Sequence, residues 1–181
     1  MLVKNDGSVD LTLHEVVNTM PSILFVCTGN IFRSLTAEYA LKARLDPGSP
    51  LGVSSAGTVA LPQDMHPDVH SYLVQQGVDL SHHRQRKVSA ELLHSSDLVI
   101  AMSTDHQAFL CDTFQYRVPV FNEVCYGRSE PLLDVWEAVP TWETDVDAAR
   151  SHAFQVMEHI WTSMPCLLQN LATYLTVKRG K

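Results

Sequence analysis

Ile23-Leu24-Phe25-Val26-Cys27-Thr28-Gly29-Asn30-Ile31-Phe32-Arg33-Ser34 lays out a strand, a turn and the start of a helix in a dozen residues. Ile23 to Val26 is a short apolar run of the kind that forms a buried strand, the turn carries a thiol, a glycine, an asparagine and an arginine, and from Leu35 the apolar residues recur at helical spacing. A strand therefore hands a cysteine to a helix N-terminus. Five residues separate Cys27 from Arg33. A tight loop of that length can wrap one tetrahedral oxyanion, with backbone N–H groups turned inward and the positive end of the helix dipole aimed at its centre. The same field favours the thiolate, which is the nucleophilic form of cysteine. Arg33 adds a planar fork matched to two oxygens of a phosphoryl group, and the Ser34 hydroxyl is placed to bond the sulfur. Gly29 permits the turn, and Asn30 tolerates a left-handed backbone while bonding its neighbours. A cysteine and an arginine at this spacing arise by chance in many chains. Strand, loop and helix together point to a nucleophilic thiol in an anion cradle.

Working outward, Leu35, Tyr39, Leu41 and Leu45 with Ala37 and Ala40 form one apolar helix face, halted by Asp46-Pro47-Gly48. Leu51 to Ser55 predicts a second strand, and strand, helix, strand in this order predicts a right-handed parallel crossover. His66 to Gln76 predicts a helix with Pro67 at a permitted early position, Val69, Tyr72 and Leu73 inward, and Gly77 closing it. His66 and His70, four apart, have no third ligand arranged with them, so they read as a surface pair and no metal site is expected. His82 to Lys87 is the most basic run and reads as a solvated loop, or as a steering patch or protein contact. A short helix at Ser89 to Ser95, a strand at Asp97 to Met102, a helix at Thr104 to Phe114 and a fourth strand at Arg117 to Phe121 follow. Residues 122–146 lack clear periodicity, although Trp136 and Trp142 argue against disorder. The helix from Asp147 to Val177 closes the chain, with Pro165 as an expected kink or break. The expected fold is α/β, a doubly wound four-stranded parallel sheet with helices on both faces, a phosphate-binding loop after the first strand, and its ligand at the strand carboxyl ends. Residues 22–177 form the expected single domain, after an N-terminal extension, 1–21, with a short helix capped by Asp10, and before a basic tail, 178–181.

The motif Val26-Cys27-Thr28-Gly29-Asn30-Ile31-Phe32-Arg33-Ser34 resembles that of the low-molecular-weight protein tyrosine phosphatases and the related thioredoxin-coupled arsenate reductases. Ala37-Glu38, Ser54-Ser55-Ala56-Gly57-Thr58, His66-Pro67 and Asp97 to Met102 reinforce the resemblance, which covers roughly residues 22 to 175. It implies that Cys27 attacks phosphorus to give a cysteinyl-phosphate that water hydrolyses. Thr28, Gly29, Asn30, Ile31, Phe32, Arg33 and Ser34 would cradle the phosphate, with no cofactor. The family's proton donor is an aspartate in an Asp-Pro motif before the last helix; aligned by that helix, the place falls on Pro140-Thr141-Trp142, and Thr141 cannot serve. Asp134 lies in an apolar setting that would keep it protonated and is the leading candidate acid, with Glu137 and Glu143 as wetter alternatives. The family's paired tyrosines are absent, so Trp136 or Trp142 would supply a wall for an aromatic substrate or anchor the loop. Phe32 stands where some relatives carry a second cysteine, which excludes a protective disulfide within the loop.

The expected activity is phosphomonoester hydrolysis, on a phosphorylated protein, preferably phosphotyrosine, or a small aryl phosphate. The alternatives are thiol-dependent arsenate reduction and phosphate-dependent binding with weak turnover. Arsenate reduction needs further thiols, and Cys111 and Cys125 stand fourteen apart rather than as a close pair. Bulk properties agree: 181 residues with 45% apolar composition suit one globular domain, and a net charge of −7 disfavours nucleic acid and anionic membrane. Four cysteines without zinc-site spacing suggest reduced thiols in cytoplasm. No signal peptide or membrane span is read from the sequence.

Overall fold

The computed structural model describes residues 20–178; the expected Asp10-capped helix lies outside them. The elements in order are β1 (Ser22–Cys27), α1 (Arg33–Lys42), β2 (Gly52–Gly57), α2 (Pro67–Gln75), α3 (Ala90–Ser95), β3 (Leu98–Ala101), α4 (Thr104–Phe114), α5 (Phe121–Tyr126), α6 (Val135–Ala138) and α7 (Val146–Lys178). The strands form one parallel sheet in the order β2-β1-β3. The first strand to be laid down thus becomes the central one, and its last residue, Cys27, pairs with Gly57 at the carboxyl edge.

Alternation along β1 explains the two layers. Ile23, Phe25 and Cys27 pack with Ala37, Ala40 and Leu41 of α1, Phe121 and Val124 of α5, and Ile160, Met164 and Leu167 of α7. Leu24 and Val26 face the other way, against Leu93 of α3, Leu110 of α4, Val118 and Val120. Burial on both faces is why the strand reads as a continuous apolar run instead of an alternating one.

The expected fourth strand is reduced to a single parallel bridge, Ala101 to Val120. Pro119 carries no N–H to continue the ladder, and its carbonyl is used by the Ala101 amide at 3.0 Å. α2 begins at Pro67 with His66 as its N-cap, the His66 ring nitrogen Nδ1 accepting from the Asp68 amide at 3.2 Å. Residues 122–146 hold α5 and α6, too short for a helical period to show in the sequence. α7 continues as helix through Pro165 without a break.

Candidate active site

β1 ends at Cys27 and α1 begins at Arg33, so residues 28–32 form the loop between them. The first-turn amides of α1 have no intrahelical partner and face the end of the helix where the loop lies. Asn30 is the residue that turns the loop, at φ 57°, in the left-handed region. Gly29 is not in that region; a Cβ there would lie 3.2 Å from Gln63 Nε2 and 3.2 Å from Ile31 Cγ1, so close packing rather than backbone strain bears on this position. The Cys27 thiol is 2% exposed. Its sulfur lies 3.0 Å from Ser34 Oγ and accepts from the Asn30 amide at 3.3 Å.

Behind the sulfur runs a chain of hydrogen bonds. Asn30 Nδ2 donates to Ser34 Oγ at 3.2 Å and to Ser55 Oγ at 2.7 Å. Ser55 Oγ donates to Glu38 Oε2 at 2.5 Å, and Glu38 Oε1 accepts from Lys42 Nζ at 2.5 Å. The chain fixes the loop from α1 and β2 at once, and each buried polar group in it finds a partner.

The basic run from His82 to Lys87 braces the loop and is more than a solvated segment. His83 Nε2 lies 3.2 Å from the Asn30 carbonyl, the Arg86 amide donates to Asn30 Oδ1 at 3.0 Å, and Gln85 Nε2 donates to the Gly29 carbonyl. The Arg86 side chain donates to the Ser55 carbonyl at 2.8 Å, and the run adds a parallel bridge from Lys87 to Gly57. Burial holds the His83 imidazole below its usual range, so it is neutral at pH 7 and adds no charge. His82 to Lys87 is recognisable in sequence only as charge, which conceals that the His83, Gln85 and Arg86 side chains reach backbone carbonyls of the loop and of β2.

Gly57 closes the back of the site. A Cβ there would come within 2.5 Å of the Thr28 carbonyl and 3.0 Å of the Asn30 amide, both backbone atoms of the loop. Gly57→Ala is expected to cost about 1–3 kcal/mol by overpacking. Urea unfolding should show that loss, and phosphate inhibition should weaken with it because the loop itself must move.

Arg33 is 1% exposed, and its guanidinium is engaged from the far end of the chain. Nη1 donates to the Leu132 carbonyl at 2.7 Å, and Nη2 to Asp134 Oδ2 at 2.5 Å. Glu137 Oε2 lies 3.7 Å from Nη1. Nε of Arg33 has no hydrogen-bond partner among the described residues, a donor suited to an oxyanion held by the loop. Asp134, at the head of α6, is 7% exposed, and Val135's amide donates to its Oδ1 at 2.7 Å. Burial pushes its carboxyl above the usual range, against the lowering by Arg33 and that amide, while Glu137 adds to the rise.

The structure thus brings Asp134 to Arg33, and not Thr141. Thr141 is exposed, with its carbonyl bonded by the Thr144 and Asp145 amides. Alignment by the last helix falls seven residues beyond the carboxyl group that contacts Arg33, because α6 and a turn lie between Asp134 and Thr141. Glu143 is exposed in the same turn. Trp136 is 50% exposed and Leu133 39%, flanking Asp134, whereas Trp142 lies farther along the chain beside Thr141.

His106, on α4, is a residue that sequence reasoning passed over. Its Nε2 lies 2.9 Å from Thr28 Oγ1, and its Nδ1 has no hydrogen-bond partner among the described residues. The available signal was position: it follows the carboxyl end of β3, beside the central strand, where doubly wound sheets gather their sites. Burial first, and Arg33 second, lower the imidazole to about 4, although Asp105 opposes them. Neutral imidazole is therefore favoured in the folded state. The stabilisation is complete above pH 6.5 and is lost as pH falls towards about 4, on the order of 3 kcal/mol in all. His106→Gln should flatten the fall of the urea midpoint across that window; an unchanged slope would assign it to other groups.

Cys111 is half-buried on α4, and Cys125 is buried on α5. Among the described residues the hydrogen-bond partners of the Cys27 sulfur are Ser34 and Asn30, with no second thiol, so the arsenate-reduction relay gains no support. No group of histidine, cysteine or carboxylate side chains suited to a metal occurs among the described residues.

The family model described as low molecular weight phosphotyrosine protein phosphatase matches residues 22–173. The chain belongs to that family. It is 42% identical over 128 residues to the low molecular weight protein-tyrosine-phosphatase Wzb of Salmonella typhi, a match covering 66% of this chain and 84% of that one. It is 36% identical over 117 residues to a protein-arginine-phosphatase of Bacillus subtilis, covering 62% and 77%. Among solved structures, a cysteine-to-serine variant of the YwlE arginine phosphatase with a phosphorylated active-site serine superposes with a TM-score of 0.64, at 27% identity, covering 82% of this chain and 97% of that one. The α/β fold with its parallel sheet is the family's, and members are cysteine-dependent phosphatases that hydrolyse phosphoesters through a cysteine-bound intermediate. No helix among the described residues is long and apolar enough to cross a membrane.

Proposed function

We propose that the protein dephosphorylates phosphotyrosine in proteins, with Cys27 as nucleophile, Arg33 and the amides of residues 28–34 as phosphate cradle, and Asp134 as general acid. The observation that carries this reading is the Arg33 to Asp134 contact: it joins residues 101 apart and puts a buried carboxyl group on the guanidinium that shares its loop with Cys27. In the first step the Cys27 sulfur attacks phosphorus, the bond to the leaving oxygen breaks, and Asp134 gives that oxygen its proton. In the second, water attacks the phosphocysteine, Asp134 takes a water proton, and the thiolate leaves with Ser34 Oγ beside it. Phosphate entering the loop competes with Asp134 for Arg33 and adds negative charge nearby. Both effects raise the Asp134 carboxyl further, so substrate binding itself favours the protonated acid.

The exposed Trp136 and Leu133 beside Asp134 offer an apolar rim suited to a phenyl ring. A second reading, phosphoarginine in proteins, draws on the arginine phosphatases among the relatives. Matched phosphotyrosine and phosphoarginine peptides decide between them by kcat/KM. Rapid quenching during turnover, followed by peptide mass spectrometry, should find phosphorus on Cys27. Turnover with no phosphocysteine at any time would overturn the mechanism.

A further inference from the structure

Glu137 is unassigned in that mechanism, yet it touches both of its charged partners. α6 has only four residues, and it opens with a reciprocal capping box in which Asp134 and Glu137 are the two ends. Glu137 Oε2 accepts from the Asp134 backbone amide at 2.6 Å and lies 3.7 Å from Arg33 Nη1. We propose that Glu137 is a positioning residue for this reaction: its carboxylate clamps the Asp134 backbone at the head of α6 and sets a second negative charge against Arg33, so that Asp134 keeps its proton for the leaving group. The proposal rests on Asp134 as the acid.

A guanidinium facing one carboxylate would hold that carboxylate ionised, which would deprive the reaction of its donor. Glu137 changes the balance in two ways. It shares the cation, weakening the pull of Arg33 on Asp134, and its own charge opposes a second negative charge nearby, in the direction seen for Asp134. The remaining groups around this cluster are few. From α4, Asp105 and the neutral His106 face Arg33. From α7, His152 Nε2 lies 3.1 Å from the Leu133 carbonyl, next to Asp134 in the chain. Glu137 thus holds the Asp134 backbone amide and shares the Arg33 cation with the Asp134 carboxyl group. A residue that merely capped α6 would have no need to reach Arg33.

The test compares the wild-type protein with Glu137→Gln, which can still accept from the Asp134 amide, and Glu137→Ala, which cannot. Two measurements are made on each: the carboxyl carbon resonance of Asp134 against pH, and kcat against pH with an aryl phosphate of high leaving-group pKa. In Glu137→Gln the Asp134 titration and the basic limb of kcat should both move to lower pH by on the order of one unit, a tenfold loss of turnover above the limb. KM and phosphate inhibition should change little. Glu137→Ala should show the same shift together with a less stable α6. An Asp134 titration unmoved in Glu137→Gln overturns the proposal, even if Glu137→Ala loses activity, because the residue would then act only as a cap. Failure of the acid assignment reads differently: the basic limb would survive in Asp134→Asn, while the carbon titration still reports whether Glu137 acts on Asp134.

Discussion

Cys27→Ser is expected to abolish steady-state turnover, lowering kcat by about 10⁴-fold or more, the scale seen when an enzymic nucleophile is removed. Phosphate binding should survive within a few-fold, because the cradle is backbone amides and Arg33, and Asn30, Ser34 and Ser55 still hold the loop. The cause is chemical more than steric. Among the described residues the hydrogen-bond partners of the sulfur are a hydroxyl and an amide, and neither is a base able to deprotonate a serine. A slow single phosphorylation of the introduced serine is compatible with this, as the phosphorylated serine of the YwlE variant illustrates for that protein. Isothermal titration with inorganic phosphate and a steady-state assay on one preparation separate the two effects. Sustained turnover by Cys27→Ser would remove Cys27 from the mechanism.

Asp134→Asn has the second largest expected effect, and its signature depends on the leaving group. For phosphotyrosine and other esters with poor leaving groups, kcat should fall by about 10²–10⁴-fold, the usual worth of a general acid. For aryl phosphates whose leaving group is stable as an anion the loss should nearly vanish. The plot of log kcat against leaving-group pKa, shallow in wild type, should therefore steepen in the variant. Phosphate inhibition should strengthen at the same time, because Asp134 Oδ2 occupies an Arg33 hydrogen bond that the anion needs, and a neutral amide competes for it less well. Opposite signs for turnover and binding are difficult to produce by misfolding. If turnover falls equally for all leaving groups, Asp134 holds Arg33 in place and does not donate a proton.

Legibility in the sequence followed range along the chain. The loop from Cys27 to Ser34 was readable because strand, turn and helix start are contiguous, and each carries a local signal: burial of Ile23 to Val26, a left-handed Asn30, apolar spacing from Leu35. The α2 and α4 helices were readable for the same reason, with His66 and Pro67 marking one start and a helical run from Thr104 to Phe114 the other. Where local signals are weak, composition and structure part. The segment from 117 to 121 has a strand's composition but makes one bridge, since Pro119 cannot donate. Asp134 stands out in the sequence by its apolar neighbours, whereas alignment by the last helix points to Thr141; α6, a single turn of helix, lies between the two.

The loop from Cys27 to Ser34, the parallel α/β class and the family are written in residues close together or in periodicities that burial imposes. Which distant groups meet that loop depends on the tertiary fold. Gly57, His83, Arg86, His106, Asp134 and Glu137 come from β2, the basic run, α4 and the segment before α7, and their contacts depend on the crossover geometry of the sheet. No local pattern encodes a hydrogen bond between Arg33 and Asp134. It exists because the central strand carries Arg33 to the sheet's carboxyl edge, where the chain returns in α6 and buries the carboxyl group against it.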